Sequence, residues 1–181
     1  MRRRTINLVS VLFFLIVASF YLLHERYFPS KKHEIGKFVP VIEVHDGDTV
    51  SVIINKRQEK VRLIGIDAPE IGQKPWGKNA KEHLETLLSS SGGKVTMEFD
   101  VDKWDKYGRM LAYLWTPKRE MINLLMIRDG YAMLFTFPPD VKHADELKAA
   151  QMEARDRGLG IWAENGLKEK PVDYRREHPR M

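Results

Sequence analysis

Residues 38–66 decide the fold, and they read Phe38-Val39-Pro40-Val41-Ile42-Glu43-Val44-His45-Asp46-Gly47-Asp48-Thr49-Val50-Ser51-Val52-Ile53-Ile54-Asn55-Lys56-Arg57-Gln58-Glu59-Lys60-Val61-Arg62-Leu63-Ile64-Gly65-Ile66. The apolar residues Val39, Val41, Ile42 and Val44, then Val50, Val52, Ile53 and Ile54, then Val61, Leu63, Ile64 and Ile66 form three short β-branched runs. Asp46-Gly47 and the polar run Asn55 to Lys60 separate them, as turns separate the strands of a meander.

Working outward, Ala80, Leu84, Leu87 and Leu88 recur at helical spacing between Gly77 and Ser90, and Ser89-Ser90-Ser91-Gly92-Gly93 ends that helix. Lys94 to Phe99 and Met110 to Trp115 read as two further strands joined by a charged loop, Asp100 to Gly108. A second helix is expected over Met121 to Arg128, stopped by Gly130. A third is expected to start at an Asp140 cap and to turn Ala144, Leu147, Ala150 and Ala154 inward before Gly158. Five short strands with three interspersed helices predict an α+β domain built on a small closed barrel of the OB type.

The 181-residue chain has room for one such domain and an appendage. It contains no cysteine, which excludes a disulfide scaffold, thiolate zinc, an iron–sulfur cluster and a thiol nucleophile. The six histidines, His24, His33, His45, His83, His143 and His178, show no paired metal spacing. The net charge of +5 is concentrated at the amino terminus: residues 1–30 carry Arg2, Arg3, Arg4 and Arg26 against Glu25, and residues 31–181 hold only a small basic excess. An anionic partner must therefore be recognised by a few placed cations.

Thr5 to Leu23 carries no charged side chain, and 19 helical residues at about 1.5 Å each approach the ~30 Å hydrocarbon thickness of a bilayer. Residues 1–23 are expected to be an uncleaved signal anchor, with a cleaved signal as the alternative. Residues 24–36 read as a linker, 37–167 as the folded domain and 168–181 as a charged carboxyl-terminal tail. The three leading arginines favour a cytoplasmic amino terminus, which puts the folded domain outside the cytoplasm.

Three charged segments lie at the ends of predicted strands. In the first, Asp46-Gly47-Asp48-Thr49, a hairpin turn alone would account for the Asp-Gly pair. In the second, Arg62-Leu63-Ile64-Gly65-Ile66-Asp67-Ala68-Pro69-Glu70, strand alternation puts Arg62 on one face with Ile64 and Ile66, so a guanidinium stands among residues that look buried. In the third, Asp102-Lys103-Trp104-Asp105-Lys106-Tyr107-Gly108-Arg109, the last arginine opens the next strand. Taken together, Asp48 and Asp67 offer the hard oxygens that Ca²⁺ or Mg²⁺ prefers. Arg62 and Arg109 can each fork onto a phosphate. Glu70 is left to act as a base toward water. These are the parts that phosphodiester hydrolysis requires.

On these strings, in this order and spacing, followed by Asn123 to Gly130 and by Gly160-Ile161-Trp162, the chain resembles the staphylococcal nuclease (thermonuclease) family over about residues 38–165. The resemblance implies an OB-fold barrel with three helices, a single Ca²⁺, and cleavage of DNA and RNA that leaves 3′-phosphate ends. It implies Asp48, Asp67 and the backbone carbonyl of Ala68 as metal ligands, with Asp46 and Thr49 standing behind them. It implies Arg62, Arg109 and Glu70 as the catalytic residues, and Lys106 and Tyr107 as contacts to substrate phosphate. Three departures stand out: Ala68 replaces a common Thr, the loop from Ile71 to Trp76 is short, and Leu134-Phe135-Thr136-Phe137-Pro138-Pro139 stands where the family can place tyrosines for base stacking. A noncatalytic nucleic-acid-binding OB module at the cell envelope is the alternative reading, and an envelope scaffold a weaker one; neither needs all five of Asp48, Asp67, Arg62, Glu70 and Arg109. Membrane attachment through residues 5–23, a monomeric state and no obligate protein partner complete the expectations.

Overall fold

A computed structural model describes residues 36–179 and Ser19. Ser19 apart, the expected anchor over residues 5–23, most of the linker, His24 and His33 lie outside the described residues. Among those described, no helix is long and apolar enough to cross a membrane.

Strands β1 (Val39–Val44), β2 (Thr49–Ile54), β3 (Arg57–Leu63), β5 (Lys94–Glu98) and β6 (Met110–Trp115) close into a barrel in the order β1-β2-β3-β6-β5, with β5 pairing back onto β1. All neighbours are antiparallel except β3 and β6, which run parallel. The barrel is filled by Val50, Val52, Val61 and Leu63 from the apolar runs of residues 38–66, joined by Val95 and Leu114 from the two later strands. Beside it, β4 (Ile66–Asp67) pairs antiparallel with β7 (Met133–Leu134).

The polar run expected to be a loop is mostly strand. Asn55 and Lys56, both at positive φ, make a two-residue turn, and Arg57 to Lys60 pair with Ile54 to Ser51. This half of β3 faces solvent, so it lacks the apolar alternation that marks a half-buried strand. At its other end β3 stops at Leu63. Gly65, at φ +78°, turns the chain before Ile66, so the expected single face of Arg62, Ile64 and Ile66 does not extend through one strand.

Among residues 36–179, four α-helices surround the barrel: α1 (Trp76–Ser90), α2 (Ile122–Arg128), α3 (Ala144–Asp156) and α4 (Pro171–Glu177), with a 3₁₀ turn at Gly160–Trp162. The first three answer the three expected. α1 buries Ala80, Leu84 and Leu88, and α3 buries Leu147, Ala150 and Ala154. α3 begins after His143, not at Asp140, because the Asp140 carboxylate instead accepts the backbone N–H of Asp102 at 2.9 Å and ties the charged loop to the helix approach. α4 is an addition, formed inside the segment that reads as a charged tail.

Candidate active site

The turn between β1 and β2 presents Asp48. Gly47 is required there for space: a Cβ at this position would stand 2.6 Å from that of Ala68 and 2.7 Å from that of Ala80. The turn is thereby pressed against both the exit of β4 and α1. Its backbone is set by the N–H of Asp48 donating to Asp46 Oδ1 (3.1 Å) and by the N–H of Leu63 donating to the carbonyl of Asp48 (2.9 Å). Asp48 is buried; its Oδ1 accepts the Thr49 hydroxyl at 3.0 Å, and its Oδ2 accepts the Ala68 N–H at 2.9 Å. Burial pushes the Asp48 carboxyl up to about 7, against the pull of the Arg62 guanidinium and with a push from Asp46 and Asp67. A carboxylate in that state favours a cation at its face.

Asp67 is held by the small sheet, where it stands opposite Met133, and by the Phe135 N–H donating to the carbonyl of Gly65. Arg62 reaches over from β3. Its Nη1 donates to the carbonyl of Leu63 at 2.8 Å, and its Nη2 lies 3.0 Å from Asp48 Oδ2 and 3.4 Å from Asp67 Oδ1. One guanidinium therefore bridges the two aspartates proposed from sequence.

Glu70 sits beyond Pro69 on the loop into α1. Its N–H donates to Gln73 Oε1 at 2.9 Å, its carbonyl accepts the Gln73 N–H, and a Cβ at Gly77 would run into that same carbonyl. Gln73 and Gly77 thus fix the backbone that aims Glu70 at the cluster.

The Glu70 side chain and Asp67 meet in a residue the sequence did not single out. Arg175, from α4, donates through Nη1 to Asp67 Oδ1 and to Glu70 Oε1, both at 2.9 Å, and through Nη2 to Asp67 Oδ2 at 2.9 Å. Burial would lower the Arg175 guanidinium, but its bonds to Asp67 and Glu70 outweigh this and raise it further. No local pattern marks it, since its partners lie more than a hundred residues away in sequence.

Arg109, Lys106 and Tyr107 form a second group on the turn before β6. Asp105 organises it: Oδ1 accepts the N–H of Tyr107 and of Arg109 at 2.9 Å each, and Oδ2 accepts Arg109 Nε at 2.7 Å. Burial would raise the Asp105 carboxyl, yet these donors hold it below the usual range. The Tyr107 ring is exposed, with Lys106 Nζ 5.1 Å and the Arg109 guanidinium carbon 5.6 Å from its centre. This group leads into β6, the strand that runs beside β3. Its proximity comes from the parallel β3–β6 pairing, in which Arg62 follows Val61 and Arg109 precedes the Met110 opposite it.

Asn123, fully buried on α2, was legible only as part of a string. Its Oδ1 accepts the Leu114 N–H at 2.9 Å and its Nδ2 donates to the carbonyl of Ile64 at 2.8 Å, tying α2 to β6 and to the turn between Arg62 and Asp67.

Among the described residues no three His, Asp or Glu side chains close on one point as a finished metal cage. The donor set nevertheless fits a hard divalent cation: two buried aspartates stand side by side, one of them destabilised in its charged form, and three carboxylate oxygens of Asp67 and Glu70 already converge on a cationic group.

Residues 60–164 match the family described as staphylococcal nuclease homologues, over half of the chain. The chain belongs to the staphylococcal nuclease family. It is 36% identical over 132 residues to a thermonuclease of Staphylococcus intermedius, covering 70% of this chain and 77% of that one. To a thermonuclease of Staphylococcus hyicus it is 32% identical over 172 residues, covering 90% and 99%. A micrococcal nuclease of Shigella flexneri is 33% identical over 147 residues, covering 75% and 79%. The closed five-stranded barrel with helices packed around it fits the OB-type architecture of this family.

Proposed function

We propose that this protein is an endonuclease that hydrolyses phosphodiester bonds of DNA and RNA with Ca²⁺, leaving 3′-phosphate ends. Membership of a family of nucleases supports phosphodiester hydrolysis. The observation that carries the reading is the convergence of Asp48 with Arg62, Asp67 and Glu70, from two separate stretches of chain, through the Arg62 guanidinium between the aspartates and the Arg175 bonds to Asp67 and Glu70.

Asp48, Asp67 and the carbonyl of Ala68 would hold the cation, with Asp46 and Thr49 fixing the Asp48 carboxylate. When bound, Ca²⁺ supplies Lewis-acid polarisation of a phosphoryl oxygen. Glu70 takes the proton of the attacking water at its carboxylate, or orients that water. Arg62 and Arg109 donate N–H groups to the oxygens whose charge grows in the five-coordinate transition state, already oriented by Leu63, the aspartates and Asp105. Lys106 and the exposed Tyr107 stand where the substrate backbone would pass Arg109.

We further propose that residues 5–23 anchor the chain in a membrane, with the barrel outside the cytoplasm. The test of the activity is cleavage of plasmid DNA and of a single-stranded RNA by the full chain. Cleavage is expected with Ca²⁺, little with Mg²⁺, whose stricter octahedron at shorter distances suits this open oxygen set poorly, and none in chelator. Full activity in chelator would remove the metal from the mechanism.

A further inference from the structure

We propose that α4 is a built-in latch on the active site, in which Arg175 occupies the carboxylates of Asp67 and Glu70 and is displaced when a divalent cation binds. The inference rests on the reading of Asp67 as a metal ligand.

Both oxygens of Asp67 are taken by the planar fork of Arg175, and a third bond goes to Glu70, the proposed base. A bidentate, charge-assisted pair of this kind is among the stronger polar contacts a protein makes. The Asp67 carboxylate is almost wholly out of solvent and Arg175 is about a third exposed, so the pair is shielded on one side and can be reached on the other. A divalent cation on Asp67 would stand within a few ångströms of the guanidinium, where two positive groups at short range repel strongly outside bulk water. Both cannot hold this carboxylate in the same way, so the two compete.

The tail is seated to make that competition matter. Pro171 is buried at the start of α4. The Tyr174 hydroxyl lies over Gly72, filling the space a Cβ would need. Buried Gln73, whose Oε1 fixes the Glu70 N–H, donates through Nε2 to the carbonyl of Glu169 at 2.8 Å. The same loop that positions Glu70 therefore also receives the tail. The linkage is reciprocal: a cation that binds only the unlatched form has its affinity lowered by the fraction of molecules latched, and its binding releases α4.

The test is calorimetric titration of the full chain with calcium chloride, for wild type, Arg175→Ala and Tyr174→Ala, together with hydrogen exchange of residues 171–177 at short times with and without Ca²⁺. Arg175→Ala removes the competing cation. Tyr174→Ala loosens the seat and leaves every carboxylate untouched, which keeps the test open if Arg175→Ala folds poorly by circular dichroism. The expected result is Ca²⁺ affinity raised about tenfold or more in each folded variant and faster exchange over 171–177 in wild type once Ca²⁺ is added. Equal or weaker affinity in the variants, or exchange over 171–177 indifferent to Ca²⁺, overturns the latch. If Ca²⁺ binds wild type and variants alike, only the latch fails. If it binds none of them, the latch and the metal reading fail together.

Discussion

Arg62 links the β3 end to both aspartates, and Arg109 is held by Asp105 through its Nε. A lysine at either position keeps the charge and loses the planar fork, so it cannot make the paired, fixed-geometry contact that a guanidinium makes to a phosphate. Arg62→Lys and Arg109→Lys are each expected to slow single-turnover cleavage of a short oligonucleotide by about 10² to 10³, the usual effect of losing one donor at a transition state. Solvated cations would instead change salt-dependent binding and leave the chemical step alone. Near-normal rates in both folded variants would take the arginines out of the mechanism. Asn123 makes a different residue-scale case. Asn123→Ala strands the Leu114 N–H and the Ile64 carbonyl in the interior, and an unpaired buried polar group costs about 1–3 kcal/mol. Urea unfolding should show a loss of at least about 2 kcal/mol; a change within error would mean that Asn123 does not brace the Arg62–Asp67 turn.

The elements that carry the site are short, and their placement depends on close contact. Gly47 lets the Asp48 turn lie against Ala68 and Ala80, so Gly47→Ala must push the turn away from β4 or from α1. The expected cost is about 1–3 kcal/mol of stability, typical of overpacking, accompanied by a fall in cleavage, because Asp48 and the Ala68 N–H would no longer meet. Normal activity in a destabilised variant would separate the packing from the site. Away from the site, Glu98 on β5 joins the approach to α3: it accepts Trp115 Nε1 at 2.8 Å and His143 Nε2 at 3.2 Å and pairs with Lys142. Burial would raise the Glu98 carboxyl, and these donors overcome it and hold it below its ordinary value of 4.5. A carboxyl lowered by folding contributes stability above about 4.5 that is lost as pH falls through its folded value. The stability gap between wild type and Glu98→Gln should be full at neutral pH and shrink in acid below pH 4.5; a gap constant with pH would mean that charge plays no part.

The same elements show what the sequence made legible. Strands β2 and β6 announced themselves as short runs rich in apolar residues bounded by turn residues, and helices α1 and α3 by their leucine and alanine stripes. The first half of β3 did not, because a ribbon wet on both sides has no reason to alternate. Asp140 matched a cap by type, but a side-chain oxygen can serve any nearby N–H, and the N–H of Asp102 took it. The site's carboxylates and arginines were legible as strings at strand ends. Arg175 was not: it is one arginine in a charged tail, and only the folded chain puts it against Asp67 and Glu70.

At the scale of the whole molecule, the charge distribution and the amino terminus bear on the proposed membrane attachment. With residues 31–181 carrying only a small basic excess, that part of the chain has little long-range attraction for nucleic acid, and on the proposed reading binding would depend on the few cations at Arg62, Lys106 and Arg109. Nothing in such a surface would hold the protein against a bilayer by charge alone. Thr5 to Leu23 would, on the proposed reading, through burial of a mostly apolar run without a charged residue, with Arg2, Arg3 and Arg4 kept on the cytoplasmic side. These two mechanisms differ in their response to ions: a charge-held protein leaves the membrane in high salt, and a spanning helix does not. The full chain is expected to remain in the membrane fraction after washing in high salt and then in alkaline carbonate. Protease added outside intact cells should digest the barrel. Release of a soluble form beginning near residue 24 would show that the segment is a removed signal, and release of the whole chain by salt would show that it does not span.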